Sequence, residues 1–294
     1  MSETIKTIQS ECLTVQVNTF GAQMWSVKDK ENTEYLWQGN PKYWEDRSPL
    51  LFPYIARLTE GTYRLNGQEY KMDIHGFAKD SQFEIAKHTE TELVLRLTDS
   101  TETYEQYPYH FVLEVGYELS ENQLKVTYHV ENKDTKTMYY GVGGHPGFCV
   151  PLQEDEKFED YYLEFSGEGH ARKELFSEDC FVLKKTEDFL LKDGNKLPLT
   201  HDLFDNDAII LSSMPKCVTL KSLTGNQAVQ VTYEDMDYLG LWHQPKTDAP
   251  YLCIEPWSSL PSRKGVVEDF EKQENLKQLE AGNYSDYCWR VKVL

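Results

Sequence analysis

Apolar and polar residues alternate with a period of two along much of this chain. In 109–119 (YHFVLEVGYEL), Tyr109, Phe111, Leu113, Val115, Tyr117 and Leu119 share one parity, and His110, Glu114 and Glu118 take the other. Such alternation marks a strand with one buried face. Residues 124–131 (LKVTYHVE) repeat it with Leu124, Val126, Tyr128 and Val130. The Ser-Glu-Asn-Gln between the two runs predicts an antiparallel hairpin, with His110 and His129 on its solvent side. Further strands are predicted at 4–9, 12–17, 22–28, 93–98, 161–165, 208–212, 217–223, 228–233 and 287–294, with a turn at Thr224-Gly225-Asn226. Helical signals are thin. Residues 268–281 offer Phe270, Leu276 and Leu279 for one face and Gly282 as a stop, and a turn or two is predicted from Pro41.

Strands joined by loops, with almost no β–α–β alternation, exclude a doubly wound sheet or a (βα)8 barrel. No internal repeat, low-complexity tract or linker divides residues 1–294. The expected fold is a single all-β domain, a large antiparallel β-sandwich with few short helices. Charge then narrows the partners. Lys+Arg 30 against Asp+Glu 49 leaves a net charge of -19, which would repel nucleic acid and anionic membranes. No apolar run approaches the roughly 18 residues of a membrane span. The opening Met-Ser-Glu-Thr-Ile-Lys-Thr has neither a basic nor an apolar leader region, so a cytoplasmic location is expected. The six cysteines form no CxxC pair and are expected to be reduced and to fill space. Nineteen tyrosines and six tryptophans suit both strands and sugar-stacking surfaces.

Four segments break the alternation and gather Gly, Pro, His and aromatic residues: 49–58 (PLLFPYIARL), 73–78 (DIHGFA), 141–148 (GVGGHPGF) and 252–257 (LCIEPW). Each reads as a shaped, partly apolar loop carrying one ionisable group, the setting in which binding residues usually sit. Taken singly, Arg57 could pair with a surface acid and His75 could cap a turn. Glu255 differs, because a carboxylate between Ile254 and Pro256-Trp257 is drawn into apolar surroundings that raise its pKa and make it a better base.

Taken together, Phe52-Pro-Tyr-Ile-Ala-Arg57-Leu, His75-Gly-Phe-Ala-Lys, His145-Pro-Gly-Phe, Asp207-Ala-Ile-Ile-Leu, Leu241-Trp-His and Cys253-Ile-Glu-Pro-Trp resemble the aldose 1-epimerase (galactose mutarotase) superfamily, closest to its bacterial LacX-like branch. The resemblance covers nearly the whole chain. It implies the galactose mutarotase-like sandwich with a sugar-binding cleft on one open face. It also implies Glu255 as the general base and His145 as the general acid. His75 and Arg57 would bind oxygens at the ring, and Asp207 would hold hydroxyls further round the sugar. Asp205 lies two positions before Asp207 with the same parity, so either could face the cleft. Trp242 and Phe148 could stack on the sugar or belong to the core, His243 is open, and Tyr161, Tyr162 and Trp257 read as core.

The chemistry suits these residue types independently. Exchanging α and β anomers needs a base for the C1 hydroxyl and an acid for the ring oxygen, so no cofactor and no metal is expected. The expected partner is a small-molecule sugar, and exposed edge strands leave a homodimer open. Rival signals are weak. The glycine run at 141–147 is not a phosphate loop, and no HExxH, HxH, CxxC or GxSxG occurs. A glycosidase would need a carboxylate pair, for which Asp207 and Glu255 are available. A hexose-6-phosphate 1-epimerase would want cations at the rim, for which Lys79, Arg263 and Lys264 are available. A non-catalytic sugar-binding or sensor protein would have no need of both His145 and Glu255. Two departures stand out: Ala56-Arg57 replaces the usual Gly-Arg of the LacX-like branch, in a loop expected to tolerate it, and Ser-Ser-Leu-Pro-Ser-Arg-Lys after Trp257 is less typical.

Overall fold

The computed structural model describes residues 4–167 and 170–294; Met1–Glu3, where the leader was sought, lie outside them. The predicted hairpin forms as Phe111–Ser120 and Gln123–Asn132, in register from Gln123 opposite Ser120 to Asn132 opposite Phe111. Burial alternates residue by residue along both strands, as the sequence pattern requires. Tyr284–Val293 pairs on the other side of Gln123–Asn132, and Trp289 Nε1 donates to the Tyr128 hydroxyl at 2.9 Å. These strands lie within a nine-stranded antiparallel sheet.

The opposing eight-stranded sheet carries the candidate site. Its order is Val182–Asp188, Arg172–Phe176, Ile209–Ser212, Tyr238–Trp242, Tyr251–Trp257, Gly143–Gly144 and Leu50–Leu51, with Gly147–Cys149 also paired to Tyr251–Trp257. Leu113, Val115 and Val126 of the first sheet and Leu211, Leu239, Leu241 and Ile254 of the second belong to one continuous apolar core. That shared core makes the two sheets a sandwich. Among the described residues the one α-helix is Thr101–Gln106, begun by a reciprocal cap between Ser100 and Thr103, and no helix is long and apolar enough to cross a membrane.

Two expectations are corrected. Residues 268–281 do not form a helix: Glu268–Asp269 pairs with the strand Thr62–Leu65, and Lys277–Leu279 with Met138–Tyr140. Tertiary packing overrides the helical spacing, because Phe270 stacks on Tyr63 at 3.7 Å and the buried Gln273 bonds Tyr54. Segment 252–257 is not a loop either. Tyr251–Trp257 is a strand buried at every position, and a strand covered on both faces loses the alternation that betrays strands elsewhere. Around Pro41 the chain makes a turn closed by Tyr43 and Trp44 N–H groups on the Asn40 carbonyl.

Candidate active site

Strand pairing brings His145 and Glu255 together. Gly143 lies opposite Trp257 and Gly147 opposite Cys253, so the same register sets His145 opposite Glu255. The His145 backbone N–H is tied to the Pro49 carbonyl at 3.1 Å, and Pro146 accepts from Ile254. On the other flank of the Glu255 strand the register partner is Gly240. A side chain there would press to 3.2 Å on Glu255 Cβ and 3.4 Å on its carboxyl carbon. Glycine at 240 is what leaves the carboxylate its room.

His145 Nε2 stands 3.3 Å from Glu255 Oε2, and Trp257 Nε1 donates to the same oxygen at 3.1 Å. Glu255 is 1% exposed and His145 8%. Glu255 Oε1 and His145 Nδ1 are buried with no hydrogen-bond partner among the described residues. Two unsatisfied polar atoms this deep are costly. Burial lifts Glu255 well above the usual carboxylate range; the Trp257 bond opposes this and the Asp207 charge adds to it. Burial pulls His145 down to about 4. The pair therefore holds one proton between its two members from about pH 4 up to the raised Glu255 value, and its titration steps belong to the pair.

The two residues line a cavity of about 470 Å³, in the range of small-molecule sites, which roughly span 300–1,000 Å³. Arg57, His75, Asp207 and Trp242 line it too. Segments 52–57 and 73–77 are zipped together: Phe52 donates to the His75 carbonyl and His75 to the Ala56 carbonyl. Gly76 permits this contact, because a Cβ there would stand 2.3 Å from the Phe52 oxygen. His75 itself has φ 68 and accepts the Ala56 N–H on Nδ1 at 3.1 Å. That bond puts the imidazole proton on Nε2. Burial, then His145, Lys79 and Arg57, hold His75 neutral by lowering its pKa. His75 is accordingly a fixed N–H donor and does not titrate with the pair. Ala56 has φ 56, a backbone region that favours glycine, so the departure from Gly-Arg is a strained position and not the indifferent change expected.

Arg57 is half-buried, and its guanidinium makes no ion pair or hydrogen bond with any described residue. Asp207 and not Asp205 lines the cavity. Residues 201–204 form a 3-10 turn and Asp207 has φ 76, so strand parity does not hold there, and Asp205 is exposed. Phe148 is a further correction: fully buried in the main core, it does not face the cavity. His243, also fully buried, bonds His201 at 3.2 Å away from the cavity lining. His110 and His129 are surface partners of Asp99 and Asp286.

Sequence reasoning missed three contributors. Trp44 packs on His145 with ring centroids 5.0 Å apart and meets Trp242 edge-on at 5.5 Å, forming an aromatic wall. Trp257, read as core, holds Glu255. Cys180 lines the cavity and donates to Asp207. No local pattern marks Trp44 or Cys180, although the alternating parity of Glu255 and Trp257 places both side chains on one strand face. His145, Cys253 and Glu255 also bring ligand atoms within 4.8 Å of one another, a set able to hold a divalent ion; burial keeps the Cys253 thiol protonated.

A model of the aldose 1-epimerase family matches residues 4–272. The chromosomal protein LacX of Lactococcus lactis is 34% identical over 289 residues, covering 95% of this chain and 96% of LacX. A galactose mutarotase-like protein from Lactobacillus casei superposes with a TM-score of 0.94 at 30% identity, covering 99% of this chain and 100% of its own. A galactose mutarotase related enzyme from Lactobacillus acidophilus gives 0.92 at 31%, over 99% and 97% of the two chains. The chain belongs to the aldose 1-epimerase family, a family of sugar isomerases.

Proposed function

We propose that the chain is a mutarotase that interconverts the α and β anomers of a free hexose. The observation that carries this reading is the buried Glu255–His145 pair, 3.3 Å apart, lining a sugar-sized cavity. For turnover the pair's proton shifts from Glu255 Oε2 to His145 Nε2, 3.3 Å away, and the freed carboxylate takes the proton from the O1 hydroxyl. The C1–O5 bond breaks, its electrons go to O5, and His145 supplies the proton there. The open aldehyde turns about C1–C2 and closes on the other face as both transfers reverse. The pair starts and ends with one proton, so the catalytic cycle needs none from solvent. The fixed Nε2–H of His75 and the unpaired guanidinium of Arg57 supply donors for charge building on the ring-side oxygens. Asp207 accepts sugar hydroxyls, and the Trp44–Trp242 wall offers faces to C–H edges.

A neutral sugar suits the cavity better than a phosphorylated one. Of the rim cations suggested by sequence, Arg263 is held by both oxygens of Glu268, Lys264 pairs with Asp179 and Lys79 with Asp80. Arg57 is the one Lys or Arg lining the cavity among the described residues. The test is polarimetry on freshly dissolved α-glucose and α-galactose, with hexose 6-phosphates in parallel, after exhaustive chelation. Acceleration with free hexoses is expected. A protein that binds sugar without accelerating it would be a sensor, and one that prefers the 6-phosphates would overturn the neutral-sugar reading.

A further inference from the structure

Asp207 and Cys180 approach the cavity from different loops, and each adopts a left-handed backbone, with φ 76 and φ 64. Such conformations are disfavoured for residues bearing a side chain, and they persist where surrounding structure fixes them. The turn that presents Cys180 is well anchored. Cys180 N–H bonds the Ser177 carbonyl at 2.8 Å, Ser177 Oγ accepts from Phe181 N at 3.1 Å and donates to Asp179 at 2.6 Å, and Asp179 pairs with Lys264. From this turn the Cys180 thiol donates to Asp207 Oδ2 at 2.8 Å, while Asp207 Oδ1 accepts the Ala208 N–H at 2.9 Å.

We propose that Cys180 is a positioning residue: its S–H sets the Asp207 carboxylate in the orientation that receives sugar hydroxyls. The proposal rests on the sugar-binding reading above. Three features support it. First, both carboxylate oxygens are held, yet among the described residues each has one donor, so each keeps a lone pair for a substrate hydroxyl. Second, both holding donors are neutral. Asp207 forms no ion pair with a described residue, although the Arg57 guanidinium lines the same cavity, so both stay available to a ligand. A bidentate arginine would consume both oxygens at once. Third, burial and the neighbouring Asp207 push the Cys180 thiol up to about 12, so it remains an S–H donor across the neutral range. A thiol that stays protonated is a poor nucleophile and a poor redox sensor, which leaves orientation as its use.

The experiment compares wild type, Cys180→Ala, Cys180→Ser, Asp207→Asn and the Cys180→Ala/Asp207→Asn double variant. The Kd for galactose and glucose is read from tryptophan fluorescence, since Trp44 and Trp242 line the cavity, and KM and kcat come from polarimetry. Cys180→Ala is expected to raise Kd and KM about three- to tenfold, with kcat moving less than about twofold. Cys180→Ser keeps a donor and should recover most of the loss. In the Asp207→Asn background Cys180→Ala should add almost nothing, because the interaction is already broken. The Raman S–H band that disappears in Cys180→Ser should shift to higher wavenumber in Asp207→Asn, reporting the bond without any sugar. Unchanged Kd in Cys180→Ala, equal losses in the Ala and Ser variants, or full additivity in the double variant would overturn the proposal. A wild type that binds sugar without turning it over removes the enzyme reading and leaves Kd to decide on Cys180. A wild type that binds neither sugar overturns both.

Discussion

Replacing Glu255 with Gln should lower activity and raise stability, with the stability gain growing as pH rises. Gln keeps the shape of the side chain, and its carbonyl oxygen can still accept from Trp257. It cannot take a proton from O1, so kcat should fall by about 10²–10⁴-fold, the usual contribution of a positioned base. The stability effect follows from burial. Native Glu255, lifted well above its ordinary 4.5, keeps a proton that the unfolded chain has released. Wild-type stability therefore falls as pH rises from about 4.5 through the folded pKa, by at most about 1.4 kcal/mol per pH unit. His145 acts oppositely. Lowered from 6.5 to about 4, it binds fewer protons folded than unfolded, so its contribution rises with pH between those values. In wild type the two slopes oppose each other where they overlap, between about 4.5 and 6.5, and the Glu255 loss runs on to its folded pKa. In Glu255→Gln the loss is gone. The variant should gain on wild type as pH rises through this range, as measured by urea melts at several pH values between about 5 and 8. A pH-independent difference, or a variant less stable than wild type in alkali, would refute the buried, proton-holding carboxylate. Near-normal turnover would show that another group is the base.

Other consequences are as direct. The kcat/KM profile should be a broad bell. Its acid limb falls near 4, where the pair gains a second proton on His145, and its alkaline limb lies well above 4.5, where the pair loses the proton lifted on Glu255. Trp257→Phe removes the hydrogen bond that favours the ionised carboxylate, so the alkaline limb should move higher and kcat should drop roughly tenfold or more. Phe148→Ala should cost about 3–5 kcal/mol in denaturant melts, the range for emptying a packed aromatic site. Trp242→Ala should act chiefly on KM; equal stability losses in these two variants would contradict their different placements.

The family relation explains why the site motifs were readable, but their geometry comes from pairing. Glu255 sits on a central strand and not on a loop, with glycine at 240 making room on one flank and His145 facing it on the other. A carboxylate on a rigid, fully buried strand stays desolvated without having to be ordered at each turnover. That is the setting in which its raised pKa and basicity can be maintained.

By itself the sequence determined the half-buried strands, because residues 111–120, 123–132 and 284–293 each bury one face and their side chains record it with period two. It also determined most of the chemical inventory, since an Arg, two His and a Glu set among glycine, proline and aromatics are local features of the chain, whereas Asp207 came only from the family resemblance. Tertiary structure decided what local signals cannot carry. Tyr251–Trp257 is covered on both faces and shows no alternation, so it read as a loop. Residues 268–281 have helical spacing, yet Glu268 and Phe270 are claimed by Arg263 and Tyr63, and Lys277–Leu279 by a strand far away in sequence. Phe148 went to the core and Trp44 and Cys180 to the cavity because sheet register and turn geometry, not neighbours in the chain, fix where those side chains lie. Propensity and periodicity act over a few residues. The register that sets His145 opposite Glu255 joins positions more than a hundred apart, and only the packed sandwich can select it.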